Sequence, residues 1–142
     1  MKASEALNLL LRDLQADRAG YGRLRGLLDE QFQAALAHRS ERLASLADEI
    51  ASLVDELNGR GLKRGALLQQ LAARPGEAPS MGALLRRLPE PLARSLGQAW
   101  QALEQLVQDC KAVNQRNCHL ITEQHALMQR VLGVEEVLYA ER

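Results

Sequence analysis

Apolar residues recur at alternating intervals of three and four in the first part of the chain. One run contains Leu7, Leu10, Leu14, Tyr21, Leu24 and Leu28, and a second contains Leu43, Leu46, Ile50, Leu53 and Leu57. This spacing places each run on one face of a helix. The pattern therefore predicts two long amphipathic helices, with Ser4 and Ser40 as candidate N-cap residues.

A turn is predicted between these two helices, near residues 37–40. A single uninterrupted helix would leave its apolar stripe exposed along its whole length unless another chain covered it. Further on, the NGRG segment at residues 58–61 favours a turn locally, because glycine is unfavourable inside a helix. The apolar face resumes a few residues later at Leu67, Leu68 and Leu71, which favours a weakened or kinked continuation of the second helix. The first two helices then form an antiparallel hairpin over residues 4–73.

Proline and glycine cluster after this hairpin and indicate a linker over residues 74–90. A short helix is predicted from Ser80, and Pro91 suits the first turn of a last long helix over residues 91–132. Gly133 is the predicted stop of that helix, and residues 133–142 form a short amphipathic tail. The sequence thus predicts an all-α fold, with residues 1–132 forming one domain. This domain is an antiparallel helical bundle of three long helices with a short linker helix.

Composition supports a helical protein and disfavours several kinds of partner. Apolar residues make up 46% of the 142 residues but aromatic residues only 3%, and the abundant leucine and alanine are strong helix formers. Eighteen basic residues balance eighteen acidic ones, so no long-range field favours nucleic acid or a membrane surface. The N-terminal segment meets charges too early for a signal peptide or membrane span. A cytoplasmic protein without membrane insertion is therefore expected.

The only segment that suggests chemistry is NQRNCHLITEQH, residues 114–125. A zinc site needs converging ligands, which helices usually supply three or four residues apart. No two of Cys118, His119 and His125 have that spacing, and Cys118 lies in mid-helix, away from any activating helix N-terminus. No metal, no cofactor and no enzymatic activity are therefore expected.

The asparagines of this segment are more informative than its cysteine and histidines. Cys110, Asn117 and Gln124 are seven residues apart on the predicted core-facing stripe of the last helix, flanked by Asn114 and Ile121. A buried asparagine lowers stability unless its amide is satisfied by another helix. Asn114 and Asn117 therefore either form hydrogen bonds that fix helix register or provide polar recognition for a partner helix. Trp100 is predicted to anchor helix packing, and Asp17, near the seam of the first helix, is expected to pair with an arginine.

Three stretches of the last helix and tail resemble the FlgN family of flagellar export chaperones. They are QAWQALEQL with Trp100, VNQRNCHLI, and the terminal VLYAER. Asn114, Asn117, Leu120 and Ile121 match the asparagine-rich stretch of the family, and Leu138 and Tyr139 match its leucine-tyrosine motif. The sequence departs from the family pattern at Cys118 and Ala140, where the family usually has glycine.

This resemblance implies an α-helical cytoplasmic chaperone that binds the hook-associated proteins FlgK and FlgL and delivers them to the flagellar export apparatus. An apolar stripe persists beyond Gly133 in a segment too short to fold alone, which predicts a client surface there. Its expected contacts are Val131, Leu132, Val134, Val137, Leu138 and Tyr139. The resemblance also suggests that Tyr139 meets the export machinery. The alternative is a coiled-coil adaptor that forms a homodimer through its first two helices and has no role in export.

Overall fold

A computed structural model describes the backbone of residues 2–140 and the side chains of residues 2–133. The chain forms four helices: α1 (Ala3–Leu36), α2 (Ser40–Ala72), α3 (Met81–Arg87) and α4 (Glu90–Ala140). Within the described backbone there is no β-strand, only one isolated bridge between Arg74 and Glu77. The predicted all-helical class is confirmed.

The turn predicted between the first two helices is confirmed. α1 ends at Leu36, His38 adopts a positive φ of 54°, and α2 begins at Ser40. The predicted caps are wrong, because Lys2 and Arg39 occupy the N-cap positions and neither makes a side-chain capping hydrogen bond. α2 continues through the NGRG segment without a break, as the resumed apolar face predicted.

The connection from α2 to α4 contains the predicted short helix. Ser80 caps α3 by accepting a hydrogen bond from the backbone N–H of Ala83 at 3.0 Å. Arg87 donates to the carbonyl oxygen of Ala72 at 2.6 Å and so ties α3 to the end of α2. α4 then begins at Glu90, one residue before Pro91.

α4 does not stop where the sequence predicted. It runs through Gly133 to Ala140, so the predicted stop is wrong. A glycine inside a helix costs about 1 kcal/mol relative to alanine but keeps its N–H donor, so it weakens a helix without ending it. The division of the chain into a bundle domain and a tail at residue 132 stays a prediction.

α1 lies between the other two long helices. α2 packs antiparallel to α1, since Asp13 pairs with Arg64 while Asp17 pairs with Arg60. α4 packs on another face of α1, and in the described part of the chain the backbones of α2 and α4 stay apart, with side chains such as Arg64 and Trp100 meeting between them. A groove of about 400 Å³ separates them, with Tyr21 on its lining. The three long helices thus form a more open arrangement than a closed bundle.

The buried apolar residues fall into two clusters along this arrangement. The first joins the N-terminal half of α1 to the end of α2, to α3 and to the start of α4, and contains Leu10, Leu14, Ala72, Met81, Ala83, Leu84, Leu96 and Leu103. The second lies between the C-terminal half of α1 and the middle of α2 and contains Leu24, Leu28, Leu53, Leu57 and Cys110. α4 contributes only Cys110 to the buried members of the second cluster. The distal part of α4 is therefore held to α1 by few buried apolar contacts.

A buried ion pair network joins α1 to α2 and confirms the pairing predicted for Asp17. The Asp17 carboxylate is fully buried and lies 2.5 Å from Arg60 Nε and 2.5 Å from Arg64 Nη1. Arg64 also pairs with Asp13 at 3.0 Å, and its guanidinium carbon lies 5.6 Å from the centre of the Trp100 ring. The network thereby reaches from α1 through α2 to α4.

Two glycines of α1 provide a test of how tightly this network is packed. A Cβ atom at Gly20 would lie 2.6 Å from Arg60 Nη2, which Asp17 prevents from moving away, whereas a Cβ at Gly26 would meet nothing within 4 Å. We expect Gly26→Ala to raise the free energy of unfolding by about 0.5–1 kcal/mol, because alanine is the better helix former. Gly20→Ala is expected to lower it. Urea denaturation followed by circular dichroism measures both, and a gain of stability in both variants would contradict the packing at Gly20.

Candidate functional site

α4 contacts α1 along a stripe of residues spaced by seven, which we term the α1 seam. It consists of Leu96, Leu103, Cys110, Asn117 and Gln124. The last three each donate a side-chain hydrogen bond to a backbone carbonyl oxygen of α1: Cys110 Sγ to Tyr21 at 3.4 Å, Asn117 Nδ2 to Leu28 at 2.7 Å, and Gln124 Nε2 to Ala35 at 2.9 Å. The donor lies 89 positions after the acceptor in all three pairs. α1 and α4 are therefore parallel and keep one heptad register over this length.

Asn117 is the most buried polar member of the seam, with 1% of its surface exposed. Its amide nitrogen also donates to Gln31 Oε1 at 2.9 Å, and its oxygen accepts from Arg116. The Arg116 guanidinium covers the Phe32 ring at 3.7 Å from the ring centre. Asn117 thus makes the side chain to backbone hydrogen bond across helices that was one of its two predicted roles.

Cys110 belongs to the same seam. Burial raises the pKa of the Cys110 thiol, and the protonated thiol is the form that can donate to the Tyr21 carbonyl. This cysteine therefore acts as a small packing residue with a weak donor.

Asn114 lies on a different face of α4, which we term the outer stripe. This stripe consists of Asn114, Cys118 and Ile121 in the bundle, and its spacing continues at Met128 and Leu132. Asn114 is exposed at the groove between α2 and α4, where its side-chain oxygen lies 3.9 Å from Cys118 Sγ. The two asparagines of the family-like stretch therefore have different surroundings, one facing α1 and the other facing solvent.

α4 extends past the end of α1. Gln124 donates a hydrogen bond to the carbonyl oxygen of Ala35, one residue before α1 ends at Leu36, whereas α4 continues to Ala140. We term residues 125–140 the overhang, a length of about 24 Å at about 1.5 Å per residue. Every residue from 125 to 132 is exposed, so neither α1 nor α2 covers this part of the helix.

Large apolar side chains of the overhang are exposed to solvent. Leu127 is 58% exposed, Met128 60%, Val131 48% and Leu132 50%. Spaced by one, three and four residues, these four side chains share one side of the helix. Contiguous exposed apolar residues are typical of interaction surfaces, and these four form the candidate surface. Val131 and Leu132 are among the predicted contacts, while Val134, Val137, Leu138 and Tyr139 lie outside the residues whose side chains are described.

The side chains with potential for chemistry are not brought together. His119 pairs with Glu123 at 3.1 Å, and His125 lies 3.2 Å from Gln129, both along the exposed face of α4. Among the described residues, no three His, Cys, Asp or Glu side chains are placed to hold a metal ion. None of the described helices combines the length and apolar character that a membrane span requires.

The remaining residues of the family-like pattern pack in the bundle. Trp100 lies partly buried against the first apolar cluster, beside Arg64. Leu120 is half-buried three residues after Asn117, and Ile121 is exposed on the outer stripe.

Sequence reasoning did not identify Leu127 and Met128 as exposed surface residues. Both fit a helical stripe, which in a bundle usually faces the core. The signal that could have identified them is the length of the last helix, which exceeds that of the helix it packs on.

These observations define a helical protein with an uncovered apolar helix end. Comparison with family models then gives a specific assignment. The model described as FlgN protein matches residues 1–134, and the chain belongs to the FlgN family, a family of flagellar export chaperones. Comparison with curated proteins and with solved structures gives no match.

Proposed function

We propose that this chain is a cytoplasmic export chaperone for hook-filament junction proteins of the FlgK and FlgL type, and that the overhang is its client surface. The chaperone keeps these clients from aggregating and delivers them to the flagellar export apparatus. The observation that carries the proposal is the uncovered apolar side of the overhang in a chain of this family. An exposed amphipathic helix can cover the apolar stripe of a client helix by helix-on-helix packing.

The sequence extends this surface beyond the described side chains. Val134, Val137, Leu138 and Tyr139 follow Val131 and Leu132 at helical spacing, and we propose that they belong to the same client surface. Tyr139, in the leucine-tyrosine motif, is the proposed contact for the export machinery.

A substitution in the intact chain tests the client surface. Val131→Glu combined with Leu132→Glu places two charges in the proposed interface, and we expect it to abolish co-purification with a FlgK-type protein. The fold should persist, because both side chains are exposed. Ala126→Glu is the matched control, since position 126 is exposed on the other side of the same helix.

Two results would count against this proposal. Undiminished capture by the double variant would remove the overhang from the client surface. Failure of the unmodified chain to capture any hook-filament junction protein would remove the client assignment itself.

The coiled-coil adaptor alternative receives less support. Leu24 and Leu28 of α1 pack against Leu53 and Leu57 of α2 within one chain, so these stripes are already covered without a second copy. Light scattering distinguishes the two: the adaptor requires a dimer through α1 and α2 and no affinity for hook-filament junction proteins.

A further inference from the structure

The α1 seam of α4 does not end where α1 ends. Adding seven to Gln124 gives Val131, and the half-buried positions three residues after each seam member, Val113 and Leu120, continue at Leu127. Leu127 and Val131 therefore occupy the positions that one more heptad of α1 would cover. They are exposed because α1 stops at Leu36.

The outer stripe differs from the α1 seam in its solvent exposure along the bundle. Asn114, Cys118 and Ile121 are exposed even where α1 and α2 are both present. Exposure of Met128 and Leu132, which continue this stripe, is therefore the normal condition of that face in this fold. Exposure of Leu127 and Val131 is a change, because every earlier member of the seam is buried or half-buried.

The polar members of the seam also indicate which kind of structural element packs on it. Asn117 and Gln124 bond to backbone carbonyl oxygens of α1, a contact that requires a helix close against α4. The α1 seam thus holds a helix in a fixed heptad register from Cys110 to Gln124, and α4 continues as one helix past the point where α1 ends. A helix is the element that would complete the same interface over the overhang.

We infer that the partner helix packs on the overhang in line with α1, centred on Leu127 and Val131, with Met128 and Leu132 of the outer stripe at the edge of the interface. The occupant is an amphipathic helix with apolar residues at heptad spacing, supplied by a hook-filament junction protein; its source rests on the function proposed above. The overhang has room for about four turns of such a helix, at 3.6 residues per turn.

Three double variants of the intact chain separate the stripes, each adding two glutamates four residues apart. Leu127→Glu with Val131→Glu alters the continued α1 seam, and Met128→Glu with Leu132→Glu alters the outer stripe. Thr122→Glu with Ala126→Glu is the matched control on the opposite face, where both positions are exposed. Calorimetric titration with a FlgK-type protein measures the dissociation constant of each, and circular dichroism checks that helix content is retained.

We expect the seam variant to weaken binding by about 100-fold or more, as loss of two central apolar anchors does at helix interfaces. The outer-stripe variant should weaken binding by about 10-fold or less, and the control should match the unmodified chain. An equal or larger loss in the outer-stripe variant overturns the inference while leaving the proposed function intact.

A second titration separates this inference from the client assignment. The probe is a synthetic amphipathic helix of three heptads with leucine at the seam positions. If the FlgK-type protein does not bind but this probe does, with loss in the seam variant alone, the client assignment fails and the seam inference stands. If neither the protein nor the probe binds the unmodified chain, the seam inference is overturned.

Discussion

Replacing Asp17 with alanine is expected to lower the free energy of unfolding by about 3–5 kcal/mol, because it leaves Arg60 and Arg64 without their shared buried partner. The Asp17 carboxylate is fully buried and accepts from both guanidinium groups at 2.5 Å. A domain of this size has a total stability of about 5–15 kcal/mol, so the variant loses a large part of it. Urea denaturation followed by circular dichroism measures the change.

Asp13 provides the matched control, because it pairs with the same Arg64 at 3.0 Å. Burial, and then the neighbouring Asp17 carboxylate, raise the pKa of Asp13 despite that pair. A carboxyl whose pKa is raised on folding stabilises the fold fully below its unfolded pKa and loses that contribution as pH rises through the folded pKa. Asp13→Asn is therefore expected to cost little at neutral pH and to flatten this part of the pH dependence. A loss in Asp17→Ala no larger than that in Asp13→Asn would contradict the central role of Asp17.

Asn117→Asp is expected to lower the free energy of unfolding by about 3 kcal/mol at neutral pH. In the unmodified chain the Asn117 amide nitrogen donates to the Leu28 carbonyl oxygen at 2.7 Å. The substitution keeps the shape of the side chain but places an oxygen, which cannot donate when ionised, opposite that carbonyl. A buried acceptor without a hydrogen-bond donor lowers the free energy of unfolding by about 1–3 kcal/mol, and by more where the acceptor is charged. Asn114→Asp, on the exposed outer stripe, should stay within about 0.5 kcal/mol of the unmodified chain.

The pH dependence of this variant follows from the same geometry. The facing carbonyl disfavours the ionised form, so the pKa of the introduced carboxyl is raised on folding. Its protonated form can donate to Leu28, and the deficit relative to the unmodified chain should shrink as pH falls from 7 to 4. Equal deficits at both pH values would show that the lost donor is not what destabilises the variant.

The sequence predicted the hairpin and the kind of residue that pairs with Asp17 because both follow from local rules. An uninterrupted helix through residues 37–40 would have left its apolar stripe exposed, which favoured a turn there, and an aspartate near a seam required a basic partner. The continuity of α2 through the NGRG segment was also predictable, since its apolar face resumes at Leu67. Gly133 was wrongly predicted to end the last helix. The glycines of the NGRG segment had already been predicted not to end α2, and Gly133 likewise has no proline or change of apolar pattern beside it.

The overhang could not be predicted from local pattern. Leu127 and Val131 continue the same stripe as Leu120, so nothing in their spacing distinguishes a covered residue from an exposed one. The distinction depends on which residue of α1 lies opposite each residue of α4, a tertiary register that the three side chain to carbonyl bonds make visible. The arginines that pair with Asp17 were likewise identifiable only once α1 and α2 were placed antiparallel.

The bonds from Cys110, Asn117 and Gln124 to backbone carbonyls have a consequence for how such proteins diverge. Each bond reaches an atom that every amino acid possesses, so the residue type at positions 21, 28 and 35 does not affect the acceptor. Asn117 is constrained by this contact, whereas the residue opposite it is constrained only by its own packing. Statistical coupling between aligned positions detects pairs of residues that change together. Positions 117 and 28 are not expected to change together, because the contact does not depend on the residue type at position 28. The interface between α1 and α4 should therefore leave a weaker evolutionary trace in its distal half than its geometric regularity would suggest.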